Sequence, residues 1–423
     1  MKKIKVLVIP SDRTGVSYYR STNPHLALER NYPDLFHVDI DYQPNLNSDE
    51  WLKQYDIIHY HRTIGAYEQM ESLNNKIKSL GIVSIMDLDD YWSPGSHHPA
   101  YLLIKNSGMA KKVENNLKLA QYITTTTNVF ANEISKFNKN VFVLPNSIDP
   151  TEKQFISNVE KSDRIRIGWL GGSSHLKDLE ILKGVVSKLK TANLLDKIQF
   201  VLCGFDLRGT HTDIDSVTKK ETVRNIKPHE SVWYRYEKIF TDDYQSISPE
   251  YKEHLLKFSQ EEYHDIANEP YRRVWTKHIS TYASNYNLFD VSLAPLEENL
   301  FNKVKSQLKV IEAGFHHKAI IAQNFGPYQI DLKNSLVYGG GFDLNANSIL
   351  VDTNKNHKDW YEAIKKLITN PDMIKTLQDN LYDTVKNTYS IDKVTEDRKN
   401  LYLKLLDENK PEMVLDKTIN YAK

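Results

Sequence analysis

The chain has 423 residues, room for two or three domains at roughly 150 residues each, every one long enough to bury its own core. Hydrophobic residues make up 40% and charged residues 26%, and Lys+Arg and Asp+Glu balance at 55 each. This excludes a disordered chain, a collagen-like fibre and a disulfide scaffold, and zero net charge gives no global basic field to draw the protein onto nucleic acid. The single cysteine, Cys203, cannot form an intrachain disulfide and sits in the apolar run QFVLC, as a buried strand residue would. The opening MKKIKVLVIPSD turns polar too soon for a signal segment or a membrane span, and no later run approaches the roughly 18 apolar residues a span needs. The expected location is the cytoplasm, with peripheral membrane contact left open.

In chain order, the first apolar runs are KVLVI (5–9), FHVDI (36–40), DIIHY (56–60), GIVSIM (81–86), YITTTT (122–127) and VFVL (141–144). They are nearly continuous rather than alternating, the pattern of strands buried on both faces by crossover helices. The set ends at LPNSIDP (144–150), and a polar stretch follows over 151–163. A second set then begins with RIRIGWL (164–170) and continues through KIQFVLC (197–203), FDVSLA (289–294) and AIIA (319–322). Intervening segments such as LKDLEILKGVVSKLK (176–190) carry apolar residues at helical spacing. The pattern predicts a doubly wound α/β protein, with a first domain over 1–150 and a second over 160–389. Residues 205–275 are polar and aromatic-rich and break the rhythm. They read as an insertion in the second domain, with VWYRYEKIF as a candidate strand. The tail, 390–423, reads as a charged helix that packs back on the first domain.

The richest stretch chemically is 289–328, FDVSLAPLEENLFNKVKSQLKVIEAGFHHKAIIAQNFGPY, a strand, loop, helix and strand. If the helix opens between Asn302 and Ser306, then Lys305, Lys309 and Glu312 share one face at i, i+4 and i+7. Unpaired amides and the positive dipole end at such a start form a phosphate site. The lysines add cationic donors, and Glu312 suits a ribose diol. An amphipathic helix with solvated lysines has the same spacing. IVSIMDLDDYW (82–92) puts Asp87, Asp89 and Asp90 at the carboxyl end of an apolar strand, facing a crevice. Metal binding through D-x-D, contact with sugar hydroxyls or base catalysis, and helix capping all fit that pattern.

Further candidates surround these. His59 and His61 share a face at a strand end, without a third ligand at metal spacing. His97 and His98 lie in a Pro/Gly/Ser loop after the aspartates, where an acceptor pocket would form. LGGSSH puts the amides of Gly171, Gly172 and Ser173 and the imidazole of His175 at a helix start. Gly15, after the first strand, permits close backbone approach. Arg20 suits a phosphate, an acidic acceptor or a plain surface. No P-loop, no G-x-G-x-x-G after a strand, no G-x-S-x-G elbow and no cysteine cluster is present, which argues against P-loop ATPase, dinucleotide, serine-elbow and cysteine-zinc chemistry.

Taken in order, these segments resemble the glycosyltransferases of family 4 (group 1), which have the GT-B fold. KVLVIPSDRTGVSYYR resembles their opening strand and glycine loop, YITTTTNVF their "vtvtS" strand, and LPNSID the "lpNgvD" that ends their first domain. IRIGWLGGSSHLKDLEIL and QFVLCG resemble the first strands of their second domain. "FN..KS..K..E" with IEAG and GPY resembles their donor-binding segment, so the likeness covers most of residues 3–330. The resemblance implies two Rossmann-like domains facing each other across a cleft. It implies transfer of a sugar from a nucleotide-diphosphate sugar to an acceptor hydroxyl, with retention of anomeric configuration, no bound metal and no cofactor. Gly15, Gly171, Gly172, Ser173, His175, Asn302, Lys305, Ser306, Lys309 and Glu312 would bind the donor. Asp87, Asp89 and Lys305 would be catalytic, and Arg20, His61, Asp90, His97 and His98 would lie on the acceptor side.

Two departures stand out. Val304 occupies the place of the first glutamate in the family's E-x7-E, with Glu297, Glu298, Asn299 or Asn302 as substitutes. Trp169 stands where an arginine grips the diphosphate. They leave the donor base, the sugar and the stereochemical outcome open. The acceptor, whether glycan, lipid-linked glycan or modified nucleic acid, is not legible, nor is the oligomeric state. Readings of another class are a sugar-nucleotide-binding protein without transfer activity and an epimerase or phosphorylase on the same scaffold.

Overall fold

The computed structural model describes residues 2–159, 162–206, 210–214, 218, 220–227, 230–246, 270–352 and 357–409. The first set of apolar runs forms one parallel sheet of β1 (Ile4–Ile9), β2 (Phe36–Ile40), β3 (Ile57–His61), β4 (Val83–Leu88), β5 (Tyr122–Thr125) and β6 (Val141–Val143), in the order β2-β1-β3-β4-β5-β6. The second set supplies β7 (Ile165–Leu170) and β8 (Ile198–Phe205). A two-stranded antiparallel ribbon of β9 (Thr210–Ile214) and β10 (Glu221–Asn225) follows. Then come β11 (Tyr271–Trp275), β12 (Val291–Ala294), β13 (Ala319–Gln323) and β14 (Ile349–Val351). The second sheet is parallel throughout, in the order β11-β8-β7-β12-β13-β14. Strand order reverses between β1 and β3 in one sheet and between β7 and β12 in the other. Crevices at the carboxyl ends of such switch points are where open α/β sheets hold ligands.

Continuous apolar strands need cover on both faces. In the first sheet, Leu7, Ile9, Ile58, Tyr60, Met86 and Leu88 bury on one side, while Val6, Val8, Ile57, Val83 and Ile85 bury on the other. Part of that second cover is Tyr402 and Leu405, from the helix Ile391–Glu408 near the end of the described chain. The return is anchored where Ile148 donates to the Tyr389 carbonyl (2.9 Å) and Ile391 donates to the Ile148 carbonyl (2.7 Å). Ser390 caps the helix by accepting from the Lys393 amide.

Two segments differ from the sequence expectation. VWYRYEKIF is not a strand but the start of the helix Val232–Ser246. Trp233, Tyr236, Ile239 and Phe240 recur at helical spacing and bury against the second sheet, a period hidden by the density of aromatic residues. Tyr271–Trp275, assigned to the insertion, is the edge strand β11. Its alternating burial lacks the continuous apolar run of an interior strand. Of the rest of 205–275, residues 207–209, 215–217, 219, 228–229 and 247–269 lie outside the described residues. Among the described residues no helix is long and apolar enough to cross a membrane.

Candidate functional site

A cavity of about 830 Å³ lies where the carboxyl ends of the two sheets meet, lined by the segments after β1, β4, β6, β7, β11, β12 and β13 and by Gly204 near the end of β8. Of the sequence candidates, Gly15, Arg20, Asp89, Asp90, His98, Gly171, Gly172, His175, Lys305, Ser306, Lys309 and Glu312 line it. Asp87, His61, Asn302, Ser173 and His97 do not. The first three are buried behind the wall, and the last two are exposed outside it.

The loop after β7 is held from below. Gly204 adopts a positive φ of 98°, and a Cβ there would lie 2.5 Å from the Gly171 carbonyl oxygen, so glycine lets the end of β8 pass beneath the loop. The His175 amide donates to the Tyr236 hydroxyl at 2.8 Å, and that hydroxyl donates to the Gly172 carbonyl at 3.2 Å. His175 Nδ1 is 2.7 Å from Asp178 Oδ2. Because a carboxylate only accepts, this bond places the ring proton on Nδ1. Burial, reinforced by Lys305, lowers the imidazole to about 4, against the pull of Asp178. The neutral ring therefore offers an acceptor, Nε2, rather than a donor for a bare phosphate oxygen. Asp178 Oδ1 in turn accepts from the Glu297 amide (2.8 Å) and from Asn302 Nδ2 (2.9 Å), tying the loops after β7 and β12 together.

The segment after β12 is not one helix opening at 302–306. Asn299 caps a single turn, Leu300–Lys303, and the longer helix starts only at Leu308 and runs to Phe315. Lys305 and Ser306 lie in the connecting turn. The cause is Val304. Its side chain is fully buried in the apolar cluster of the first domain, with Ile64, Trp92 and Met86, and this draws the backbone off the helical path. Lys305 and Lys309 still face the same cavity. Lys309 Nζ donates to the Leu170 carbonyl and lies 5.0 Å from the centroid of the buried Trp169 ring, a cation–π contact. Trp169 is thus the floor beneath a lysine. Burial, with Lys305 acting in the same sense, lowers Lys309 to about 8. Lys305 Nζ sits 5.0 Å over the Phe301 ring.

Glu312 lies one turn beyond Lys309 and is 4% exposed. Oε1 accepts from the hydroxyls of Tyr19 (2.8 Å) and Tyr282, and Oε2 from that of Tyr286 (3.0 Å). Tyr19 belongs to the first domain, in the helical segment Tyr18–Thr22 that follows β1, so this carboxyl joins the two domains. Burial pushes it up to about 8 against the opposing Tyr19 hydrogen bond.

On the first-domain wall the three aspartates differ. Asp87 is fully buried and forms a two-pronged ion pair with Arg20, Oδ1 to Nη2 at 2.7 Å and Oδ2 to Nε at 3.0 Å. It also accepts from Thr124 Oγ1 at 2.7 Å, so both its oxygens are engaged within the first domain and it does not line the cavity. Arg20 Nη1 donates to the Leu144 carbonyl and to Asn146 Oδ1, and Asn146 Nδ2 donates across the domain gap to Ser306 Oγ at 3.1 Å. Asp89 accepts from His61 Nε2 (2.9 Å) and Arg62 Nη2 (3.1 Å). Burial opposes ionisation there, yet His61, Arg62 and Arg20 hold this carboxyl well below the usual range. Asp90 is raised by burial and by the charge of Asp89, with Lys305 opposing. The His98 ring lies 5.1 Å from that of Phe301, a contact between the domains. Among the described residues no group of three or more His, Cys, Asp or Glu side chains is placed to hold a metal ion.

Sequence reading missed one wall altogether. Thr276–Ile279, after β11, and Tyr282 and Asn285, in the 3₁₀ segment Tyr282–Leu288, line the cavity. The available signal was the tyrosine-rich TYASNYN at the end of the irregular stretch.

No family model matches this sequence, and no curated protein matches it. Solved structures do. HepE of Anabaena, in complex with UDP and glucose, superposes with a TM-score of 0.58 at 10% identity, covering 95% of this chain and all of that one. Sucrose-phosphate synthase from Thermosynechococcus elongatus gives 0.57 at 12% identity, over 96% of this chain and 100% of its own. The catalytic domain of starch synthase IV from Arabidopsis thaliana, bound to ADP and acarbose, gives 0.57 at 10%, over the same shares. At these identities the likeness is one of fold, and this chain has the GT-B arrangement of two Rossmann-like domains across a cleft.

Proposed function

We propose that this protein is a glycosyltransferase that moves a sugar from a nucleotide-diphosphate sugar to an acceptor hydroxyl in the interdomain cleft. One observation carries the reading. Two ammonium groups, Lys305 and Lys309, and the glycine loop at 171–172 converge on one cavity at the switch point of the second sheet, and the opposite wall belongs to the first domain. The neighbours in fold were solved with UDP and with ADP, which agrees with a nucleotide donor.

In this reading the diphosphate lies against Lys305, Lys309 and the backbone amides of Gly171 and Gly172. Those charges stabilise the leaving group as the bond from the anomeric carbon to the phosphate oxygen breaks. The acceptor oxygen bonds to the same carbon, and its proton passes to the departing phosphate oxygen on the same face, which retains configuration. Glu312 and its tyrosines contact the ribose. Asp90 and His98 face the acceptor. Asp87 acts through Arg20, and Asp89 through His61, to position that wall.

The test is a panel of UDP-, GDP- and ADP-sugars assayed for transfer and for donor hydrolysis. Lys305→Ala and Lys309→Ala are expected to lower kcat/KM by about 10²–10³-fold each. Tight binding with neither transfer nor hydrolysis would favour the non-catalytic sugar-nucleotide-binding reading, and dependence on orthophosphate would favour a phosphorylase.

A further inference from the structure

The donor site leaves one buried group unexplained. Asn285 is 0% exposed, lines the cavity, and neither its Nδ2 nor its Oδ1 has a hydrogen-bond partner among the described residues. Folded proteins rarely leave a carboxamide so, because it has given up water and received nothing in return. Its surroundings point to what completes it. Asn285 lies between Tyr282 and Tyr286, both of which donate to Glu312, and Glu312 is one helical turn from Lys309. The cavity wall therefore presents an ammonium, then a carboxyl one helical turn on, then a carboxamide on the segment whose tyrosines hold that carboxyl. Phosphate, ribose diol and base follow in the same order along a nucleoside diphosphate.

We infer that the Asn285 carboxamide reads the hydrogen-bonding edge of the donor's nucleobase and so sets which base the protein accepts. The inference rests on the nucleotide reading above and adds its specificity determinant. A carboxamide presents an acceptor and a donor side by side. Nucleobases offer the complement, as N3–H beside O4 in uracil or N1 beside the N6 amino group in adenine. A base that completes only one of the two bonds leaves the other half of the buried amide unpaired, which is how such sites discriminate strongly. Because Asn285 has no exposed surface in the free protein, a base reaches it only after a neighbouring side chain moves aside.

Asn285→Leu removes the amide and keeps much of the shape. Titration calorimetry with UDP, ADP, GDP, CDP and thymidine diphosphate, alongside melting of the free protein, decides the matter. The wild type is expected to spread its Kd values at least about tenfold across the bases. In N285L the spread collapses, the best ligand weakens by about tenfold or more, and the free variant melts no lower than wild type. Asn285→Asp presents acceptors only, so its ranking shifts toward GDP, whose guanine N1–H and N2–H both donate. If one variant does not melt cooperatively, the other carries the comparison. Unchanged ranking and affinity in the folded variants would overturn this assignment alone. Failure of the wild type to bind any of these diphosphates would overturn the nucleotide reading and this inference with it.

Discussion

Glu312 shows what removal from water does to a carboxyl. Burial raises its carboxyl from an ordinary 4.5 to about 8. Between those values the unfolded chain has released the proton while the folded protein keeps it, so stability falls as pH rises through this window. Glu312→Gln holds the same hydrogen-bonding span without ionising. Melting curves at pH 6 and pH 9 are expected to lie closer together in the variant than in wild type, and an equal or larger gap in the variant would exclude Glu312 as the source. The same side chain receives hydroxyls from both domains, so the variant also tests whether the Tyr19 contact depends on charge. Burial moves His175 in the opposite direction to the same neutral end. Its imidazole is driven neutral and its proton is fixed by Asp178, which turns a residue read as a phosphate donor into an acceptor better matched to a sugar hydroxyl.

The connection from β12 to the helix Leu308–Phe315 shows how one side chain redirects an element. Val304 fills the first domain's core and breaks the helix that residue spacing alone predicts. Restoring the glutamate found at this place in the resembling family, Val304→Glu, would bury an unpaired carboxylate. It is expected to destabilise the protein by on the order of 3–5 kcal/mol, read as a lower denaturation midpoint, with no gain in transfer rate. An undiminished midpoint would mean that Val304 does not pack as described. This element also marks the limit of sequence reading. The strands were legible because continuous Val/Ile/Leu runs have one physical meaning in a sheet covered on both faces. Lys305, Lys309 and Glu312 were legible as a group because their i, i+4, i+7 spacing is a local pattern. The helix start was not, since its position depends on a pocket in the other domain, far away in sequence. Asp87 looked like a site residue because strand-end position is a local property, whereas its pairing with Arg20 is not. Tyr282 and Asn285 were missed for the same reason: TYASNYN marks an unusual segment, but its composition does not say that a 3₁₀ segment before β12 will close the cavity.

Across the whole molecule the two domains are joined by more than a linker. Val304 reaches from the second into the first, Tyr19 reaches back to Glu312, and the helix Ile391–Glu408 covers the first sheet with Tyr402 and Leu405. Leu405→Ala, a buried truncation, is expected to cost about 2–5 kcal/mol, and the loss belongs to the first domain although the residue lies some 400 positions downstream of β1. Hydrogen exchange at the amides of β1 and β3 reads that location directly; increased exchange confined to the second sheet would contradict it.

That returning helix bears on how the protein is made. During vectorial synthesis β1 and β3 leave the ribosome before their cover does, and the surface formed by Val6, Val8, Ile57, Val83 and Ile85 is not completely covered until Tyr402 and Leu405, some 340 positions after β3, have followed. The nascent chain therefore carries an adhesive apolar sheet face while all the intervening residues are being made, the kind of transient exposure that invites misassembly.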